Sequence, residues 1–333
     1  MRIYRHWREV PAEGRGAVVA IGNFDGVHLG HQAVISDARR IAREAGAPLA
    51  VLTFEPHPRE VLGQADGPFR LTPFRNKLRE IAGLGVDILY LLRFDRNLAS
   101  LTADDFIHRL LVGGLGVGHV VVGYDFAFGH KRGGNFDLLQ ENAEAGGYRV
   151  SQVSVAGTDE GKYSASEARA RLSAGDVAGV AQILGRPWEI EGRVQHGEHR
   201  GRKLGFATAN LAVAGTLHPA HGVYALWAGF DRGAGDGLEW HPAVANLGRR
   251  PTFDENELLL EVHVLDFDGD LYGRRLRAKF VARVRLERRF DGLDALKAQI
   301  ALDTACAREL LAADKGPGGV SPAINQSTES AVQ

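Results

Sequence analysis

A single cysteine, Cys306, in 333 residues excludes an internal disulfide framework and any zinc site built on cysteine pairs, and it fits a reducing cytoplasm. Long apolar runs are missing too. Nothing approaches the ~20 consecutive apolar residues that a membrane-spanning helix needs, and MRIYRHWREVPAEGRG at 1–16 contains no apolar stretch of signal-peptide length, so a soluble protein without export signal or membrane partner is expected. Neither sign of charge is in excess. Lys and Arg total 40 against 41 Asp and Glu, a formal net charge of −1, so no overall basic field argues for nucleic acid and no acidic excess for a disordered chain. Any polyanion has to be bound locally. The sequence also lacks G-x-x-x-x-G-K-[ST], so a nucleotide here does not sit in a P-loop, and GLGVGH at 114–119 lacks the G-x-G-x-x-G spacing of a dinucleotide fingerprint. No internal repeat is evident.

What is present suffices for a sizeable core. Hydrophobic residues make up 44%, and the length exceeds what one typical core supports, which points to two domains. From residue 17 to about 155, short apolar runs (AVVAIGNF, APLAVLTFEPHP, VDILYLLRF, VGHVVVGYDFAFG) alternate with amphipathic ones (HLGHQAVISDARRIAREAG, TPFRNKLREIAGLG, ADDFIHRLLVGGLG). Such alternation predicts a parallel sheet covered on both sides, with ligands beyond the carboxyl ends of its strands. YSASEARARLSAGDVAGVAQILG at 163–185 predicts one or two helices, with Ser164 or Ser166 as N-cap. After Trp188 the texture becomes short strand-like runs divided by glycine turns, the pattern of an antiparallel barrel. A last helix is expected in GLDALKAQIALDTACARELLAADK, and the small, polar remainder is expected to be disordered. These readings place a first domain at 1–186, a second at 187–314 and a tail at 315–333.

Several stretches carry chemistry. IGNFDGVHLGH at 21–31 follows an apolar strand and sets His28 and His31 three apart on a glycine-rich turn, where Gly22 and Gly26 allow close approach to a ligand. A phosphate cradle, a metal site and a structural turn are all open to such a pair. Metal is disfavoured because no H-E-x-x-H surrounds it, whereas a helix N-terminus after a strand attracts anions. TFEPHP at 53–58 ends a strand with His57 between two prolines. VVVGYDFAFGHKRGGN at 120–135 delivers Asp125 between Tyr124 and Phe126 into a glycine-rich loop with Lys131 and Arg132, which suits a planar ring bearing phosphate. Farther on, GRKLGFATANL at 201–211 offers backbone donors, Lys203, and the oxygens of Thr208 and Asn210, hard neutral ligands of the kind magnesium takes with nucleotide phosphates. Glu261 lies within LLLEVHVLDF, where a carboxylate amid apolar neighbours faces solvent, a partner or a site.

Taken in order, GNFDGVHLGH, TFEPHP, VVGYDFAFG, GRVQHGEHRGRKLGFATANL, NLGRRPTF and LEVHVLDFDGDLYG resemble the prokaryotic bifunctional riboflavin kinase/FAD synthetases over residues 15–312. The resemblance implies a Rossmann-like α/β nucleotidyltransferase domain of the H-x-G-H class, followed by a six-stranded antiparallel β-barrel kinase domain with a C-terminal helix. It implies phosphorylation of riboflavin to FMN by ATP, then adenylylation of FMN to FAD, with Mg²⁺ in both steps. His28 and His31 match the histidines that contact ATP phosphates, and Glu261 matches the base that takes the ribityl 5′-hydroxyl proton. Residues matched to ATP or flavin binding are Gly22, Phe24, Asp25, Asp125, Phe126, Phe128, Ser164 and Arg169 in the first module, and Lys203, Gly205, Thr208 and Asn210 in the second. Thr208 and Asn210 double as metal ligands. Two departures stand out: Ala165 and Ser166 replace a serine and a threonine of the family's phosphate-binding segment, and Ala207 replaces the proline before Thr208. Partners implied are riboflavin, FMN and ATP; self-association is left open.

Overall fold

The computed structural model describes residues 1–65, 67–154, 157–158, 161–195, 208–213, 215–231, 237–249 and 258–317. The chain divides into two compact units, residues 1–67 with 74–164, and residues 68–73 with 165 onward.

In the first unit, six strands form a wholly parallel sheet: β1 (Arg2–Tyr4), β2 (Val18–Ile21), β3 (Leu49–Glu55), β4 (Ile88–Arg93), β5 (His119–Gly123) and β6 (Arg149–Val153), in the order β1-β4-β3-β2-β5-β6. Their apolar side chains alternate between two cores. Val19, Ile21, Leu52, Tyr90 and Val122 pack on one face, while Val18, Ala20, Val51, Leu89 and Val121 pack on the other against Ile35 and Ala38 of helix α1 (Leu29–Ala45). Burial on both faces is why these strands read as continuous apolar runs. The strand order reverses between β2 and β5, so the loops leaving their carboxyl ends diverge and open a crevice. IGNFDGVHLGH leaves β2 and GYDFAFG leaves β5.

Around this sheet lie α2 (Pro58–Val61), α3 (Phe74–Gly83), α4 (Phe106–Leu115) and α5 (Phe136–Glu141). The helix expected from ADDFIHRLLVGGLG forms, but α4 is wound to the wider π-type turn and ends at Gly116 in the left-handed region, φ 59°.

The second unit contains α6 (Ala165–Ser173), α7 (Val177–Leu184) and a six-stranded antiparallel sheet, β7 (Trp188–Arg193), β8 (Thr208–Ala212), β9 (Gly222–Asp231), β10 (Leu238–Arg249), β11 (Leu258–Val264) and β12 (Arg275–Leu286). The order is β8-β11-β10-β9-β12-β7. The sheet curls until Gln195, just past β7, bridges Asn210 of β8, its N–H donating to the Asn210 carbonyl at 2.8 Å. One face holds Trp188, Tyr224, Leu226, Leu260 and Phe280, all buried. The other receives the C-terminal helix α8 (Leu293–Ala313), whose Ala307 and Leu311 pack on Val223, Ala225, Val244 and Leu265.

The sequence drew the domain line at 186, whereas the compact units part at 164/165. Hydrogen bonds explain the difference. The segment 68–73 joins the second unit through Trp188 Nε1 to the Leu71 carbonyl (2.8 Å), the Leu217 N–H to the Arg70 carbonyl (2.9 Å) and Arg169 Nε to the Phe69 carbonyl (2.8 Å). Arg283 likewise ties the end of α6 to β12 through the Ala174 carbonyl at 2.8 Å. Of the tail expected at 315–333, residues 318–333 lie outside the described residues. No described helix is long and apolar enough to cross a membrane.

Candidate active sites

The turn after β2 is built by unusual backbone. Phe24, Gly26 and Val27 have φ of 51°, 81° and 43°; for a β-branched valine this is an outlier that surrounding structure must enforce. His28 then caps α1, its Nδ1 accepting the His31 N–H at 3.3 Å. The two imidazoles stack, 3.6 Å between centroids at 21°, and Phe24 meets His31 edge-on at 5.1 Å. The Phe24 ring is buried beneath Gly22, where a Cβ would lie 3.2 Å from it. Gly22 therefore makes room for that ring. Gly30 has a similar role: a Cβ there would press on the His28 ring at 3.0 Å and on the Tyr163 carbonyl at 3.2 Å. That contact brings Ser164, next in the chain, close to the first turn of α1. Asp25 is 5% exposed, inside the turn.

Beneath the turn, the Asn23 carbonyl accepts from Thr53 Oγ1 of β3 at 3.1 Å and from Lys77 Nζ of α3 at 3.4 Å, and Lys77 also pairs with Glu55 at 3.4 Å. Thr53 and Lys77 are both buried. His57 caps α2, its Nδ1 accepting the Arg59 N–H, and is buried as well.

After β5, Asp125 is exposed and Phe126 half-buried, whereas Phe128 belongs to the core, stacked on Phe126 at 5.4 Å and close to Phe106 at 5.0 Å. Phe128 pairs with Gly134 to close a small hairpin around Lys131 and Arg132. Arg169 belongs to the second unit, lying over the Phe69 ring with its guanidinium carbon 5.5 Å from the ring centre.

In the second unit, register sets the geometry. Asn210 of β8 and Asn246 of β10 stand directly opposite Glu261 of β11, one on each side, and Thr208 stands opposite His263. Directly opposed residues on one sheet face have Cβ atoms ~4.5–5.5 Å apart. Asn246 shares a face with Val244, so this row lies on the face that α8 covers. Asn210 is 5% exposed, and its Oδ1 accepts no hydrogen bond from any described residue. A buried acceptor left in that condition points to a ligand. Lys203 and Gly205 lie outside the described residues.

Three residues at these places escaped the sequence reading. Thr53 sits in a quoted motif but shows no signal beyond a polar side chain in an apolar strand. Lys77 is one cation of FRNKLREIAG and reads as solvated. Asn246 interrupts an apolar strand, as Glu261 does, and that shared anomaly is a signal that could have found it.

A family model for FAD synthetase matches residues 10–167, and one for riboflavin kinase matches residues 184–311. This chain belongs to the bifunctional riboflavin kinase/FMN adenylyltransferases. Members of that family similar to it include those of Pseudomonas fluorescens, 43% identical over 313 residues, 94% of this chain and 98% of that protein, and Escherichia coli (strain K12), 41% identical over 304 residues, 91% and 96%. Among solved structures, one named a macrolide-efflux protein from Streptococcus pneumoniae superimposes with a TM-score of 0.82 at 30% identity, covering 92% of this chain and 98% of that one. The candidates from Gly22 to Ser164 fall within the first matched span and those from Lys203 to Glu261 within the second, while Arg169 lies in neither.

Proposed function

We infer that the chain performs the two reactions of its family at two separate places, phosphorylation of riboflavin to FMN around Glu261 and adenylylation of FMN to FAD and pyrophosphate around His28 and His31. ATP is the co-substrate of both. The functional modules are 1–186 and 187–314, and the compartment is the cytoplasm, in keeping with the single cysteine.

For the kinase, what carries the reading is the register that flanks Glu261 with two asparagines, together with an Asn210 Oδ1 that accepts from no described residue. Glu261 accepts the proton of the ribityl 5′-hydroxyl as that oxygen attacks the γ-phosphorus of ATP, and ADP leaves. Thr208 Oγ1 and Asn210 Oδ1 are the oxygens that would hold Mg²⁺, and the neutral amide beside a carboxylate fits a hard cation. When bound, magnesium neutralises charge on the phosphate oxygens. Lys203 and Gly205 complete the binding of ATP.

For the transferase, the FMN phosphate attacks the α-phosphorus of ATP and pyrophosphate leaves. This needs alignment and donors for the charge on the phosphates, and no protein nucleophile. Supporting it are the stacked imidazoles at the N-terminus of α1, where the helix dipole favours an anion. Gly22, Phe24 and Asp25 shape the turn, Asp125, Phe126 and Phe128 belong to the flavin-nucleotide pocket, and Ser164 and Arg169 contact phosphate.

The test is a chromatographic time course with riboflavin, ATP and Mg²⁺. FMN should appear and then convert to FAD. His28→Ala should reduce FAD formation by ~10²-fold or more while sparing FMN formation, and Glu261→Ala should do the reverse when FMN is supplied. FMN accumulating without FAD in the unaltered protein would assign kinase activity alone and trace the loss to Ala165 and Ser166.

A further inference from the structure

We propose that Lys77 and Thr53 are positioning residues for adenylyl transfer, locking the Asn23–Phe24 peptide so that the strained turn presents His31 and His28 to the phosphates. The proposal rests on the role just given to those histidines.

Phe24 at φ 51° is a conformation that an L-residue leaves readily by flipping the preceding peptide. Such a flip would swing the Asn23 carbonyl away. Here that oxygen is held twice, by the Thr53 hydroxyl at 3.1 Å and by the Lys77 ammonium at 3.4 Å, which together occupy both its lone pairs. The two clamps come from different elements, the end of β3 and the first turns of α3, so they over-determine the peptide plane. A second brace lies downstream, where Gln32 of α1 donates to the Val27 carbonyl at 2.9 Å.

Lys77 is an unusual choice for a structural clamp. Its side chain is 4% exposed, so its charge has left water, and Glu55, itself 23% exposed, compensates from 3.4 Å. Burying an ammonium is unfavourable unless it is paired and hydrogen-bonded, and a neutral donor would hold a carbonyl without that penalty. The ammonium also lies over the Phe74 ring at 5.9 Å, so the Asn23 carbonyl, the Glu55 carboxylate and a ring converge on it. From the clamp, a continuous set of contacts leads to the chemistry. The fixed peptide orients Phe24, whose ring abuts His31 at 5.1 Å, and His31 stacks on His28 at 3.6 Å. Thr53 and Lys77 both bond to the Asn23 carbonyl of the turn, so their action is through the turn. A flipped 23–24 peptide would carry the Phe24 ring off His31 and leave the imidazole pair without its edge support, while the binding surfaces after β5 stayed in place.

The experiment compares steady-state FAD formation from FMN and FMN formation from riboflavin in Thr53→Val, Thr53→Ser, the double variant Lys77→Met with Glu55→Gln, and His28→Ala. Valine matches threonine in shape and lacks the hydroxyl; serine keeps it; the double variant removes the buried charge and its counter-charge together. Thr53→Val and the double variant should each lower kcat for FAD formation about tenfold or more, since a small misplacement of reacting groups has effects of that order. KM for ATP and for FMN should stay within about twofold, Thr53→Ser should restore most of the rate, and FMN formation should be unchanged in all three. A role in stability alone would not split kcat from KM at temperatures well below unfolding. Wild-type kcat in Thr53→Val overturns the proposal whether or not the double variant folds, and so does a raised KM at unchanged kcat or a parallel loss of FMN formation. His28→Ala separates the two levels: if it keeps making FAD, the underlying assignment of the histidines fails, and if it is inactive while Thr53→Val is not, only the clamp fails.

Discussion

On the role proposed for it, Asn210 gives up stability for binding. Its Oδ1 is buried without a donor among the described residues, and a buried acceptor in that state is unfavourable by ~1–3 kcal/mol. Asn210→Ala removes the unsatisfied oxygen together with the binding contact. The variant is therefore expected to unfold, in the absence of ligands, at the same temperature as the unaltered protein or a higher one, while FMN formation is lost and FAD formation from FMN is retained. Mg²⁺ with ATP at about a hundred times the Kd stabilises a binding-competent protein by ~2.7 kcal/mol, and that increment should vanish from the second unit of the variant. Differential scanning calorimetry with and without Mg²⁺ and ATP checks both statements. A lower unfolding temperature in the unliganded variant would mean that the amide is an ordinary core hydrogen-bonding group. At this scale the sequence singled out Glu261 as a carboxylate interrupting an apolar run and Asn210 for its amide oxygen close to the Thr208 hydroxyl. It was silent at Lys77, because a lysine in an amphipathic helix reads as solvated and only the end of β3, brought beside it by the fold, shows that it is buried.

Whole elements were more legible than their edges. Continuous apolar runs on a parallel sheet and alternating ones on a curled antiparallel sheet leave distinct patterns, so the β2, β3, β4 and β5 strands and the β9 to β12 succession could be read directly. The short β1 could not, since Arg2–Tyr4 is an edge strand of three residues with no periodicity to detect. Helix α8 was visible as an apolar stripe, but the polar contact that docks it was not. Arg285 of β12 grips Asp303 of α8 with Nε to Oδ1 at 2.9 Å and Nη2 to Oδ2 at 2.8 Å, and Gln299 adds a donor to the same carboxylate at 2.7 Å. The Asp303 side chain is 5% exposed and Arg285 20%. Removing one partner of such a pair strands the other charge, so Asp303→Ala should destabilise the second unit by roughly 3 kcal/mol. Because Glu261, Asn210 and Asn246 lie on the face that α8 covers, the variant should also lose FMN formation. Denaturant unfolding followed by tryptophan fluorescence reports the first effect, since Trp188, Trp227 and Trp240 all belong to the sheet beneath. An unchanged midpoint would show that apolar packing of Ala307 and Leu311 alone holds the helix.

On the proposed assignment the two reactions are chemically independent steps joined by FMN, in a chain of two compact units that each have their own sheet. The compact units part 22 residues before the line drawn at 186; α6 and α7 are helical, like the elements before them, and nothing in the sequence signals that 68–73 joins the later unit. Independence has a consequence for the intact molecule. If FMN leaves the kinase site before it is adenylylated, a mixture of His28→Ala and Glu261→Ala should make FAD from riboflavin although neither variant does so alone. The first supplies FMN and the second consumes it. FAD should then appear after a lag that shortens as either protein is raised, because the intermediate has to accumulate in solution to the KM of the second site, and added apoflavodoxin, a trap for free FMN, should abolish it. Chromatography of the mixture over time decides the matter. A mixture that makes FMN and no FAD, while the Glu261→Ala protein converts added FMN normally, would show that FMN stays bound where it is made, and that the covalent link between the units is what delivers it.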